Sequence, residues 1–122
     1  MRVGIDLVSV DQVRESIDAH GVRYTQFVYT ARELADCTTE RGLDAERLAA
    51  RFAAKEAALK ALAPADEGIR FDSIEVRRRD TGSVELVLSG RAAELAARAG
   101  VSEFALSIAH ESGLACAIVV AS

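Results

Sequence analysis

Leu43-Asp44-Ala45-Glu46-Arg47-Leu48-Ala49-Ala50-Arg51-Phe52-Ala53-Ala54-Lys55-Glu56-Ala57-Ala58-Leu59-Lys60-Ala61-Leu62 is the longest helical pattern in the chain. Wound at about 100° per residue, Leu48, Phe52, Leu59 and Leu62 fall on one stripe. Lys55 falls inside that stripe, and Glu56 and Lys60 stand one turn apart along one edge. The opposite side is Ala50, Ala54, Ala57, Ala58 and Ala61. A surface helix normally carries its charges opposite the apolar stripe. This one carries small residues there, which invites close packing on a second face and predicts a central helix. Some of its charges then sit in partly buried surroundings, which is costly unless they are paired, hydrogen-bonded or bound to a metal. The same letters also suit a solvated helix. Ala, Glu, Lys, Leu and Arg are the best helix formers, and Glu56 with Lys60 is a favoured i,i+4 pair.

Outward from that helix the elements are short. Val3 to Val8 reads as a strand, with Asp6 emerging on the face of Gly4 and Val8. Strand interiors disfavour Asp, and Gly4 would let another chain segment or a ligand come close. A solvent-facing Asp on a half-buried strand is the plainer alternative. Val10 to Ala19 has helical spacing, with Gly21 as a stop. Thr30-Ala-Arg-Glu33 is a capping box for a helix that runs to about Cys37. Pro64 ends the long helix. Phe71 to Arg79 reads as a strand, Asp80 to Ser83 as a turn, and Val84 to Leu88 as a strand. Ser89 caps a helix that ends at Gly100. Glu103 to His110 and Leu114 to Ala121 form a hairpin around Glu111-Ser-Gly113. His110 shares a face with Phe104, Leu106 and Ile108 at the mouth of that hairpin, a common place for ligand contacts. A structural His is the alternative there too. Helices and strands mix without regular βαβ repetition, so the expected fold is α+β. It has a mostly antiparallel sheet packed with one long central helix and shorter helices, as one domain over residues 1–122.

Half of the 122 residues are hydrophobic, but there are only four Phe, two Tyr and no Trp. The core must be built from Ala, Val, Leu and Ile. Such a core is thin for its length, and association through an apolar face would help to stabilise it. A net charge of −4 argues against general attraction to nucleic acid or anionic lipid. No apolar run approaches a membrane span, and the N-terminus becomes charged too early for a signal peptide. The expected setting is the cytoplasm. Cys37 and Cys116 lack metal-ligand spacing and read as reduced, buried small hydrophobes.

One chemistry uses the misplaced charges together. Mg²⁺ prefers oxygen ligands and is usually held by one or two carboxylates, substrate phosphates and water. Asp6 and Glu56 could supply the carboxylates, while Lys60, Arg51 and Lys55 balance phosphate charge. There is no zinc-type Cys/His cluster and no glycine-rich phosphate loop. The residues alone therefore allow a metal-assisted reaction at a phosphate ester.

The stretch Arg51-Phe-Ala-Ala-Lys55-Glu56-Ala-Ala-Leu-Lys60-Ala resembles the holo-acyl-carrier-protein synthases, the small stand-alone branch of the 4'-phosphopantetheinyl transferases. Three further stretches agree in order and spacing. They are Gly4-Ile-Asp6-Leu-Val-Ser-Val, then Phe71-Asp-Ser-Ile-Glu-Val with Gly82, and Leu106-Ser107-Ile-Ala-His110 with Ala115-Cys-Ala-Ile-Val-Val. The resemblance implies the 4'-phosphopantetheinyl transferase fold and a transfer of 4'-phosphopantetheine from coenzyme A to a serine of apo acyl carrier protein. Adenosine 3',5'-bisphosphate is released. It implies Asp6 and Glu56 as ligands of Mg²⁺, with Mn²⁺ as a substitute, and Asp6, Glu56 and Lys60 as the catalytic set. Glu56 or a water takes the serine proton. Arg51, Lys55 and Lys60 lie in the coenzyme A site, joined by Ser107 and His110 from a neighbouring subunit of a homotrimer. The competing readings are a non-catalytic coenzyme A or carrier-binding protein of the same fold, and a metal-dependent phosphodiester hydrolase. Two positions depart from the family. Gln12 stands where an Arg usually meets the acidic carrier helix, and Arg14 and Arg23 are the candidates to replace it. Pro64, Asp66 and Glu67 stand before Gly68, where glycines are common. The carrier itself, fatty acid or polyketide, is left open.

Overall fold

Side-chain size sets how closely the long helix can lie on its sheet. In the computed structural model, which describes residues 1–62 and 68–122, this helix is α4 (Ala45–Leu62). It packs across strands β1 (Arg2–Ser9) and β7 (Leu114–Ala121). β1, β7 and β6 (Phe104–Glu111) form an antiparallel sheet in the order β1-β7-β6. Gly4, Val8, Ala115, Ala117, Val119 and Ala121 are the buried positions of its inner face. Gly4 makes the closest approach. A Cβ built there would run into the carbonyl oxygen of Ala57 and lie 2.8 Å from the Ala61 amide nitrogen. The expected close contact at Gly4 is thus made by the helix backbone. Arg2 Nη1 fastens the end of α4 with a 3.1 Å bond to the Leu62 carbonyl. Asp44 caps its start by accepting from the amides of Glu46 and Arg47.

The other elements surround this pair. They are α1 (Val10–His20), α2 (Val22–Val28), α3 (Ala31–Asp36), β2 (Thr38–Thr39), β3 (Gly42–Leu43), β4 (Ile74–Arg78), β5 (Val84–Leu88) and α5 (Gly90–Arg98). β2 pairs with β3 and β4 with β5, both antiparallel. The fold is α+β with antiparallel sheets, as expected. The capping box at Thr30 is present in full, with Thr30 Oγ1 accepting from the Glu33 amide and Glu33 Oε1 from the Thr30 amide. The β6–β7 hairpin turns on Ser112 and Gly113, with φ of 52° and 78°, so β6 runs to Glu111, one residue further than expected, while β7 spans Leu114–Ala121 as expected. Positive φ at both turn residues is the two-residue geometry that matches strand twist.

Four elements differ from expectation. α2 was not anticipated, because Val22 to Val28 is rich in β-branched and aromatic residues of modest helix propensity. β2 and β3 are two residues each, too short for a periodic signal. At Phe71–Ser73 the chain makes a 3₁₀ turn before the strand begins at Ile74. Both the amide and the hydroxyl of Ser73 donate to the Arg70 carbonyl and close that turn. Phe71 then packs between Phe27, edge-on at 5.8 Å between ring centroids, and Phe52, tilted at 5.6 Å. Pro64, expected as the helix stop, lies outside the described residues, as do Asp66 and Glu67.

The outer face of the sheet is apolar and open. Val3, Ile5 and Leu7 of β1 are each more than half exposed, and Ile118 and Leu114 of β7 are well exposed. Ile5 pairs with Ile118, which pairs with Ser107. Cys37 is buried and Cys116 partly so, both as free thiols. No helix among the described residues is long and apolar enough to cross a membrane.

Gly4→Ala is expected to destabilise the protein by about 3 kcal/mol or more, because the added methyl meets backbone and not a flexible side chain. The urea midpoint should fall with little change in slope. An unchanged midpoint would show that α4 can lift off β1 at no cost.

Candidate active site

The close contact at Gly4 decides what stands next to it. Two residues along β1, Asp6 points to the same face and meets the C-terminal half of α4. Glu56 and Lys60, one turn apart, rise along that edge. Lys60 Nζ donates to Asp6 Oδ1 at 3.1 Å and to the backbone carbonyl of Ile5 at 3.0 Å. The Asp6 side chain is 18% exposed and that of Lys60 56%. Burial pushes the Glu56 carboxyl above the ordinary range, the charge of Asp6 pushes it further, and Lys60 opposes both. So the structure brings Asp6, Glu56 and Lys60 into one cluster. Two carboxylates against one ammonium leave it an excess negative charge. These are hard oxygen donors already holding a cation, which fits a divalent metal. Among the described residues no group of three or more His, Cys, Asp or Glu could hold an ion. Any metal here would thus rely on two carboxylates, with water and phosphate oxygens completing its shell.

Lys55 is placed differently from its expected position in a coenzyme A site. It is fully buried on the other flank of α4, with Nζ 2.7 Å from Glu33 Oε1. It also donates to the carbonyls of Phe71 at 3.0 Å and Ile74 at 2.7 Å. An ammonium has three donors, and all three are used. Burial pulls Lys55 below the ordinary lysine range, and Glu33 pulls the other way. The second oxygen of Glu33 accepts from the Val76 amide at 2.8 Å. This pair ties α3, α4 and β4 together. Glu33 was read only as a capping residue, and the sequence signal for more was the lysine inside the apolar stripe of α4.

Arg51 is also buried, at 5% exposure. Among the described residues its one hydrogen bond is long, 3.4 Å from Nη1 to the Arg47 carbonyl, and its buried Nε has no partner. A buried guanidinium short of acceptors suits an anion.

His110 stands apart from the carboxylates. On the inner face it pairs through Ala115 with Val8, while Asp6 pairs through Ala117 with Ile108. The separation is two strands and two residues, about 12 Å. His110 Nδ1 instead lies 3.3 Å from Glu46 Oε1, in the first turn of α4. Ser107 faces outward on the open apolar face. Within one chain, then, neither Ser107 nor His110 reaches the Asp6–Glu56–Lys60 cluster. Arg14 is held by Asp11 at 2.8 Å, and Arg23 borders a hollow with His20, Tyr24 and Phe27.

Comparison with known proteins bears on this arrangement. The 4'-phosphopantetheinyl transferase superfamily matches residues 2–119. The holo-[acyl-carrier-protein] synthase of Chloroflexus aurantiacus is 44% identical over 130 residues, covering 97% of this chain and 95% of that protein. Among solved structures, the holo-[acyl-carrier-protein] synthase of Neisseria meningitidis superposes with a TM-score of 0.86 at 29% identity, over 99% of this chain and 97% of that one. An ACPS–CoA complex from Chronobacterium ammoniagenes superposes at 0.84 with 33% identity, over 99% and 96%.

Lys55→Met should cost about 3–5 kcal/mol, because it leaves Glu33 buried without its counter-charge. Chemical denaturation of the free protein would read this directly. A variant as stable as the parent would return Lys55 to the list of ligand-contacting residues.

Proposed function

The chain belongs to the holo-[acyl-carrier-protein] synthases of the 4'-phosphopantetheinyl transferase superfamily, and we propose that Asp6, Glu56 and Lys60 are its catalytic centre. It is a transferase that moves the 4'-phosphopantetheine arm of coenzyme A onto a serine of apo acyl carrier protein. The observation that carries the site assignment is the cluster at the β1–α4 edge, with Lys60 bridging Asp6 Oδ1 and the Ile5 carbonyl beside Glu56.

The serine oxygen forms a bond to the β-phosphorus of the coenzyme A pyrophosphate, and the bond to adenosine 3',5'-bisphosphate breaks. Glu56, or a water beside it, takes the serine proton. Lys60 donates to phosphate oxygens as negative charge builds on the leaving group. Asp6 and Glu56 would hold Mg²⁺, or Mn²⁺ in its place, which when bound supplies charge compensation at the pyrophosphate and a template for in-line attack. Arg51, with its unmatched buried Nε, takes an anionic part of coenzyme A. Lys55 acts at one remove, by holding α4 against α3 and β4.

Ser107 and His110 join the site from a neighbouring copy, in a homotrimer with interfacial sites. What supports this is the open apolar face of Val3, Ile5, Leu7 and Ile118, and the distance of His110 from Asp6 within one chain. We take residues 1–122 to act as one domain, with the match over residues 2–119 in support. We place the protein in the cytoplasm, where Cys37 and Cys116 would remain the free thiols seen here. Docking of the carrier falls to Arg14 and Arg23, since Gln12 carries no charge.

The test is intact mass spectrometry of apo acyl carrier protein incubated with this protein, coenzyme A and Mg²⁺. The expected gain is about 340 Da, abolished by chelation. Asp6→Ala and Glu56→Ala should each lower turnover at least about 100-fold, or 2.7 kcal/mol, and near-normal turnover in either would remove the catalytic assignment. Arg14→Ala combined with Arg23→Ala should raise the carrier KM; an unchanged KM would move docking elsewhere. Coenzyme A binding with no mass gain on several carriers would leave a binding protein.

The assembly has its own check. Ile5→Glu places a charge on the open sheet face and should reduce the mass seen by light scattering from three chains to one, with loss of transfer. An assembly of unchanged size would mean that this face is not the contact.

A further inference from the structure

Lys60 stands where a ligand cation would stand. Its ammonium contacts Asp6 Oδ1 and the Ile5 carbonyl oxygen at 3.1 and 3.0 Å. Both are donors of the kind that Mg²⁺ and Mn²⁺ take. The contact is also releasable. Lys60 is more than half exposed, ion pairs this open to water are weakly held, and the long flexible stem can turn away from Asp6. The Glu56 carboxyl feels both partners, Asp6 unfavourably and Lys60 favourably.

Resting on the reading that Asp6 and Glu56 hold a divalent cation, we propose that Lys60 is a built-in competitor for that cation. In the free protein it occupies the Asp6 carboxylate, and it must withdraw before the carboxylate can serve a metal. The reason is charge. An ammonium and a divalent cation on one partly buried carboxylate repel each other more strongly than they would in water. A withdrawn Lys60 needs a new anionic partner. With no ligand present it finds only solvent. With coenzyme A present it finds phosphate oxygens within reach of the same edge. Metal and coenzyme A therefore bind with positive coupling, and Lys60 transmits it. The free enzyme stays poorly loaded with metal until its phosphate substrate arrives. The same side chain is then already turned toward the charge that it stabilises during transfer.

Free Mn²⁺ counted by electron paramagnetic resonance reads this without any turnover. The intact protein is titrated alone and with saturating coenzyme A, with no carrier present. In the parent protein coenzyme A should tighten Mn²⁺ binding about fivefold or more. Lys60→Met should bind Mn²⁺ about fivefold or more tightly in the absence of coenzyme A, and the tightening by coenzyme A should shrink by about that factor, to what direct phosphate–metal contact supplies. Lys60→Arg, which keeps a cation on the stem, should behave as the parent. Lys60→Gln, with circular dichroism to confirm folding, repeats the test with a polar side chain. Asp6→Asn should abolish binding throughout. Asp6-dependent Mn²⁺ binding that is equal or weaker in Lys60→Met would overturn the proposal alone. No Asp6-dependent binding in any protein, with or without coenzyme A, would overturn the metal reading and the proposal with it.

Discussion

Everything in this fold is arranged around the contact between Gly4 and the backbone of α4. No side chain larger than hydrogen fits between the strand and the carbonyl of Ala57. That contact fixes the height of the helix above the sheet. The alanines on its lower side, with Ala115, Ala117 and Ala121 facing them, make the same demand over a longer distance. Close-packed small residues bury little apolar area each, so much of the core's cohesion must come from dispersion across a tight interface. The gain is positional. A helix that cannot shift relative to β1 holds the backbone anchors of Glu56 and Lys60 at a constant distance from Asp6, and preorganised charge is what phosphoryl chemistry needs.

The charges of α4 divide into two kinds, and burial is the cause. On one flank Lys55 and Glu33 are completely enclosed, and every donor of the ammonium has an acceptor. A buried pair of this sort adds little net stability over an apolar substitute, but it is intolerant of losing one member. Its value is specificity. It selects one packing of α3, α4 and the start of β4, which a core of alanines alone would define poorly. On the other flank Asp6, Glu56 and Lys60 are only partly buried, and their charges do not cancel. The first set is closed and therefore structural. The second is unfinished, and an unfinished charge set at a surface edge is available to a ligand.

This division explains what could be read from the residues. The α+β class, the long helix, the capping box and the final hairpin all leave short-range marks, in period, cap chemistry and turn residues. Glu56 was visible because it stands in the stretch from Arg51 to Ala61 that carries the family resemblance, and Asp6 because a carboxylate in a strand violates local preference. Lys55 violates it equally, and spacing could not tell a lysine meant for a phosphate from one meant for Glu33. Their pairing spans 22 residues and exists only once α3 has folded against α4. α2 was missed for a related reason. It is held by tertiary contacts, among them Phe27 on Phe71, and not by its own propensity. The placement of Ser107 and His110 could not be read from period either. Alternation correctly put His110 on the inner face, but the register across three strands sets its distance from Asp6.

That distance joins the chemistry to the thin core. A chain with few large apolar residues leaves Val3, Ile5 and Leu7 in water, which is unfavourable for an isolated monomer. β1 carries both features at once, because alternation sends Ile5 and Leu7 to one side of the strand and Asp6 to the other. A second copy seated on the outer face would therefore cover apolar surface within one residue of the Asp6 carboxylate. The Ile5 carbonyl that holds Lys60 belongs to a residue whose side chain would lie in such a contact. Strand alternation alone would then link assembly and chemistry, because one residue offers its side chain to the outer face and its backbone oxygen to Lys60.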